Sequence, residues 1–240
     1  MTLLAVGHGT RDPAGVATVR AVLDRVRSLR PALTVAESYA EITEPSLEAA
    51  LTALPGRPQT GPVVAVPLML GRGHHACADI PGRIRGRAVV ARPLGPHPLL
   101  TEVLAERLRE TRPADAIVLG AAGTSDPSGV ADVAAAARLL GRRLGRTVPY
   151  GFAASAGPAL TDVVADLRAR GARRIAIASY LIAPGFFHER VLAAGADDVS
   201  RPLGVHRALA RLIVHRYDEA FGAAAGSGVD RPAEAARRAG

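Results

Sequence analysis

The sequence predicts an α/β fold of two similar domains, each a small parallel sheet flanked by helices, arising from an internal duplication. Apolar runs alternate with segments of helical periodicity along most of the chain. The alternation restarts near residue 115, and the restart repeats letters of the first half. The order strand, helix, strand, helix in each half calls for a parallel sheet with helices on both faces.

In chain order, LLAVG (3–7) reads as a strand. Asp12-Pro13 then supplies an N-cap and a proline at the first helical position for a helix over 14–30. LTVAESYA (33–40) reads as a strand, 45–54 as a helix and PVVAVPLML (62–70) as a buried strand. Asp79-Ile80-Pro81 repeats the capping device before a short helix over 79–86. AVVARP (88–93) reads as a strand, followed by a turn at GPHP containing His97 and a helix over 98–110. The second series gives strands at 115–120, 146–153, 173–182 and weakly at 196–200, with helices at 127–145, 158–170, 185–194 and 204–221. The expected domains are 1–112 and 113–222, and the small, polar stretch 223–240 reads as a disordered tail.

The duplication is visible in three blocks that fall in the same order. VGHGTRDPAGVATV (6–19) lies over GAAGTSDPSGVADV (120–133), so that Gly9, Thr10, Asp12, Pro13, Gly15 and Val16 recur as Gly123, Thr124, Asp126, Pro127, Gly129 and Val130. YAEITEPSL (39–47) lies over FAASAGPAL (152–160), and PLMLGRGHH (67–75) over SYLIAPGFF (179–187). Two facing α/β halves make a cleft, a favoured place for a ligand.

Composition excludes several chemistries. All 30 basic residues are arginine, so neither a P-loop lysine nor a pyridoxal phosphate Schiff base is available. The G-H-G near the N-terminus is not a dinucleotide fingerprint, and no organic cofactor is expected. The net charge of +8 favours an acidic partner. With 3% aromatic residues and no recognisable motif, nucleic acid is not expected, and a small polycarboxylate explains the charge equally well. No apolar run is long enough to cross a bilayer, so no membrane association is expected. The start MTLLAVGHGTRDP has no basic leader, and Cys77 has no partner for an internal disulfide; both fit a cytoplasmic location.

Comparing the halves isolates the chemistry. His8 lies over Ala122, Glu41 over Ala154 and His75 over Phe187. The copy keeps scaffold glycines and prolines and loses two imidazoles and a carboxylate, a ligand set suited to a borderline divalent cation. His8 follows the first expected strand, Glu41 ends the second and His75 follows the third. All three therefore emerge at the carboxyl edge of a parallel sheet, where such folds bind ligands. Taken singly, each has a plainer role: His8 as a turn residue, Glu41 as a solvated strand end, His75 as an exposed loop residue. Their joint absence from the copy argues against three unrelated roles. His74 lies over Phe186, and block spacing alone does not choose between His74 and His75. His188, His206 and His215 read as structural or surface residues. Gly7, Gly9 and Gly73 allow tight turns close to a ligand.

HGTRDPAG, then YAEITEPSL, then PLMLGRGHHACADIP resembles the ATP-independent sirohydrochlorin chelatases, the cobaltochelatase and ferrochelatase relatives among class II chelatases. The family pattern is HG-[ST]-R, an E before P-S, and G-x-H-x-x-x-D-I-P. His8, Arg11, Glu41 and Asp79 fall on it, and the spacing to Asp79 selects His75. PLGPHPLL (93–100) resembles the next family element, so the likeness covers nearly the whole chain. GRGHHACAD departs from the usual pattern and leaves the role of His74 open.

The resemblance implies insertion of a divalent metal, Co²⁺, Fe²⁺ or Ni²⁺, into a sirohydrochlorin-like tetrapyrrole, in cobalamin or siroheme biosynthesis. His8, Glu41 and His75 would hold the metal and take part in proton removal. Arg11, Gly73 and His74 are expected at the substrate; Arg11 would bind a peripheral carboxylate or, on an equal footing, pair with Asp12 or cap structure. A metal or tetrapyrrole carrier would use the same ligands without turnover.

Overall fold

The computed structural model describes residues 1–54, 62–154 and 157–227. The first half begins with β1 (Thr2–Gly7), α1 (Pro13–Leu29), β2 (Thr34–Tyr39), α2 (Leu47–Ala53) and β3 (Val63–Pro67). A π-helical turn over His75–Asp79 leads into α3 (Ile80–Ile84), and β4 (Val89–Val90) and α4 (Pro98–Arg109) complete this half. The second half repeats the order with β5 (Ala116–Ala121), α5 (Pro127–Leu144), β6 (Tyr150–Phe152) and α6 (Leu160–Ala169). It ends with β7 (Ile175–Tyr180), α7 (Phe186–Leu192), β8 (Asp198–Val199) and α8 (Arg207–Ser227). The sheets are parallel and share one topology, β2-β1-β3-β4 and β6-β5-β7-β8. The predicted α/β duplication is therefore the observed fold.

The capping devices work alike in both halves. Asp12 accepts from the Ala14 N–H at 2.8 Å, and Asp126 accepts from the Ser128 N–H at 2.8 Å. Prolines follow at the first helical position of α1 and α5. Alternation in β1 assigns its two faces: Leu3 and Ala5 join one core, Leu4 and Val6 another. The second core, with Leu47, Ile80 and Ile84, belongs to the first half alone. Its counterpart in the second half holds Val118, Leu160, Ile177 and Val191.

The largest core is shared, because the last helix of each repeat packs on the other half. α4 lies against α5 and β7, while α8 lies against α1, β3 and β4. Leu100, Val103 and Leu104 of α4 and Leu209, Leu212 and Ile213 of α8 are all fully buried there. A histidine caps each exchanged helix, its Nδ1 accepting a backbone N–H: His97 from Leu99 at 3.1 Å and His206 from Ala208 at 3.0 Å. His206 therefore precedes α8 rather than lying on it.

Several elements differ from the sequence reading. The strands expected over 88–93 and 146–153 shrink to Val89–Val90 and Tyr150–Phe152, the lengths over which the ladder finds a partner. α8 continues to Ser227, past the expected end at 221; residues 228–240 of the expected tail lie outside the described residues. Asp79 makes no side-chain cap, because it already sits in helical backbone and its carboxylate turns to other partners. No helix among the described residues is long and apolar enough to cross a membrane.

Candidate metal centre

The site grows from a ladder that runs past the end of the strands. Beyond β1 and β2, the Ala40 N–H donates to Gly7 O at 2.8 Å and the Glu41 N–H to His8 O at 3.0 Å. This extra rung makes His8 and Glu41 neighbours. Gly9 completes the approach with φ +104°, and a Cβ there would collide with the Glu41 carbonyl. Thr10 and Thr43 close the turn reciprocally: the Thr10 N–H donates to Thr43 Oγ1, whose hydroxyl donates to Thr10 O, each at 2.9 Å.

His75 arrives on a different support. The loop before it is gripped by the second half, where Asp132 of α5 accepts from the Arg72 backbone at 2.8 Å and from its guanidinium at 2.7 and 3.0 Å. The Tyr180 hydroxyl donates to Leu70 O at 2.9 Å, and burial drives its pKa well above the ordinary tyrosine value. The two halves also interlock through matched glycines. A Cβ on Gly15 would lie 2.7 Å from Pro184 O, and one on Gly129 would collide with Arg72 O. The π-helical turn then brings His75 and Asp79 together, with His75 Nδ1 3.0 Å from Asp79 Oδ2.

One ligand atom from each of His8, Glu41 and His75 lies within 4.8 Å of the other two. His75 Nε2 stands 3.6 Å from Glu41 Oε1, and the His8 and His75 rings are 4.8 Å apart at an interplanar angle of 58°. Burial lowers the pKa of His8, the neighbouring His75 lowers it further, and Glu41 partly opposes both. This direction favours the neutral imidazole of His8, the form that offers a lone pair. Asp79 occupies the His75 Nδ1 and leaves Nε2 for the cluster, the arrangement in which a carboxylate orients a ligating imidazole.

Arg83 ties these supports together. It grips Glu48 at 2.7 Å through both Nε and Nη2, reaches Asp79 at 3.4 Å and donates to Ala40 O at 2.8 Å. It therefore anchors both the carboxylate behind His75 and the backbone beside Glu41. Nothing in the sequence marks Arg83, and Asp79, although it falls on the family pattern, reads there as a helix cap.

The copy keeps the backbone and lacks the three side chains. The Ala153 N–H donates to Ala121 O at 2.8 Å and the Ala154 N–H to Ala122 O at 2.9 Å, the same rungs as in the first half. Phe187, at the position matched to His75 in the sequence blocks, packs against the second-half core, as does Ala122.

The remaining sequence candidates surround the cluster without joining it. His74 is exposed, with its ring 5.7 Å from that of His75. Gly73 accepts from the Cys77 N–H at 2.9 Å, and a Cβ there would meet only Thr124 Oγ1 at 3.5 Å, so close approach does not demand glycine. Arg11 is exposed; Asp12 is engaged in capping and makes no ion pair with it.

Fold and site together define a duplicated α/β protein with, among its described residues, one cluster of two imidazoles and a carboxylate, held by the first half beside its contacts with the second. The chain belongs to the CbiX family, whose family model matches residues 2–111 and again 116–220. A sirohydrochlorin cobaltochelatase of Methanosarcina acetivorans is 30% identical over 123 residues, covering 45% of this chain and 94% of that relative. Another, of Priestia megaterium, is 27% identical over 212 residues, covering 79% of this chain and 67% of that relative. SirB of Bacillus subtilis with Fe³⁺ shares the fold, with a TM-score of 0.76, 24% identity and 94% and 97% of the two chains covered. The sirohydrochlorin chelatase SirB of Bacillus subtilis subspecies spizizenii in complex with cobalt superposes with a TM-score of 0.75 at 23% identity, over the same shares.

Proposed function

We propose that this protein inserts a divalent metal, Co²⁺ or Fe²⁺, into sirohydrochlorin, with His8, Glu41 and His75 as the groups that hold the metal and manage the protons. The observation that carries the proposal is their convergence to within 4.8 Å in the first half. The equivalent positions of an otherwise matching backbone hold Ala122, Ala154 and Phe187. Family membership and the relatives' activity support the same reading.

The reaction exchanges M²⁺ for two pyrrolic protons, so it needs metal ligands and proton acceptors in one place. His75 offers Nε2 to the metal because Asp79 holds its Nδ1. Neutral His8 offers a lone pair, and Glu41 supplies the negative charge that offsets the cation. Once the metal moves to the macrocycle, the same groups are free to accept protons, which makes positioning the main part of catalysis. The metal is a substrate here, and no organic cofactor is required. Arg11, exposed three residues after His8, is placed to bind a peripheral carboxylate.

The test is an anaerobic absorbance assay of sirohydrochlorin with Co²⁺ or Fe²⁺. Wild type should accelerate the spectral change over metal alone, while His8→Ala and His75→Ala fall to the uncatalysed rate. Metal binding by a wild type that gives no acceleration would identify a carrier and defeat the proposal.

A further inference from the structure

We infer that Ile42 and Phe186 form an apolar seat for the flat face of the tetrapyrrole, with Arg190 presenting its guanidinium to a carboxylate on the rim. This rests on the chelatase reading of the metal centre and adds a function for the half that has no metal ligands.

Ile42 at 58% and Phe186 at 60% are the most exposed large hydrophobic side chains among the described residues. Both stand next to the site. Ile42 directly follows Glu41, and its neighbour Thr43 is hydrogen-bonded to Thr10. On the other side of Thr10 lies Gly185, where a Cβ would sit 3.1 Å from Thr10 Oγ1, and Phe186 comes next. The two exposed side chains thus flank one contact, two residues from His8, and they come from opposite halves.

Each residue is poorly explained as scaffold. Ile42 has φ +65°, alone among the described non-glycine residues in the left-handed region, where a β-branched side chain is strained. Glycine or asparagine would suit that backbone better, and the side chain is not recompensed by burial. Phe186 matches His74 in the aligned blocks and opens α7, while its neighbour Phe187, matching His75, packs against the second-half core. At these matched positions the first half carries two imidazoles and the second half two aromatic rings.

Arg190 completes the surface. Its guanidinium carbon lies 5.5 Å from the centroid of the Phe186 ring, and its Nε donates to Ala153 O at 2.9 Å. Its two terminal amino groups have no carboxylate partner among the described residues. A conjugated macrocycle rimmed with carboxylates offers an apolar face for Ile42 and Phe186 and an anion for Arg190.

The experiment compares Phe186→Ala and Ile42→Gly with wild type in the full chain. It reads KM for sirohydrochlorin, the Kd for Co²⁺ alone by calorimetry, and the melting temperature. KM should rise about tenfold in each variant, the scale of one lost aromatic or aliphatic contact. The Co²⁺ affinity should stay within about twofold, because neither side chain is a metal ligand. Ile42→Gly should melt no lower than wild type, because it removes strain. An active wild type with unchanged KM in both variants would overturn the inference and leave the chelatase reading standing. A parallel loss of Co²⁺ affinity would also overturn it, by showing that the residues act through the metal centre. A wild type inactive on sirohydrochlorin would defeat the chelatase reading and the inference with it.

Discussion

Replacing Asp79 by asparagine tests how the metal centre is held without touching a metal ligand. Asp79 Oδ2 lies 3.0 Å from His75 Nδ1 and 3.4 Å from Arg83 Nη1. Burial acts to raise its pKa, but the hydrogen bond from His75 and the charge of Arg83 outweigh burial and hold the carboxyl below its usual value. Asparagine keeps the shape and loses the charge. Both contacts go to Oδ2, so an amide oxygen there accepts from His75 and Arg83 without the charge, while the flipped amide faces both donors with an amino group. Loss of a carboxylate behind a ligating imidazole weakens metal binding by about 10- to 100-fold, or about 1.4–2.7 kcal/mol. The Co²⁺ Kd, measured by calorimetry at pH 7.5, should rise by about tenfold in Asp79→Asn and by more in Asp79→Ala. Arg83 keeps Glu48 and Ala40 in both variants, so the melting temperature should fall only slightly. A Kd within twofold of wild type would mean that Asp79 does not orient His75.

Gly129→Ala should lower stability by about 1–3 kcal/mol, because the new methyl meets Arg72 O across the seam; calorimetric melting would show a drop of about 2–10 °C. His74→Ala should change the Co²⁺ Kd by less than about threefold, since its ring lies outside the cluster, whereas His75→Ala should abolish tight binding. Stability should fall on acidification: burial, then the Arg216 and His215 charges, depress the pKa of His97, and burial depresses that of His188. The neutral forms are favoured in the fold, so their contribution is complete above the unfolded value of 6.5 and is lost as pH falls through the lower folded values. Protonated His97 can no longer accept the Leu99 N–H, so urea titrations between pH 7.5 and 5 should show a shallower decline for His97→Asn than for wild type. Equal slopes would remove His97 from the account.

The parts of the structure that were legible in the sequence are those where one residue type is needed for one local reason. Asp12-Pro13 and Asp126-Pro127 recur because both open a long helix in the same way. Gly15 and Gly129 recur because a carbonyl of the opposite half leaves no room for a Cβ. Against that repeated scaffold, the loss of His8, Glu41 and His75 from the copy marked a cluster that the fold then brings together. The exchange of α4 and α8 was not legible. An amphipathic pattern states that a face is buried, not which sheet buries it. Asp79 before Ile80-Pro81 matches a helix cap letter for letter, and only the π-helical turn diverts its carboxylate to His75. Arg83 looks like any charged residue on a short helix, and three of its four acceptors come from distant segments. Ile42 conceals its left-handed backbone because its residue type argues against one.

The most direct measurement is an anomalous diffraction map at the cobalt edge from crystals soaked in Co²⁺. The account expects one strong peak about 2.0–2.2 Å from the ring nitrogens of His8 and His75 and a Glu41 carboxylate oxygen, with Asp79 still on His75 Nδ1. A peak at His97 and His215, at His74 and Cys77, or nowhere in the first half would contradict it.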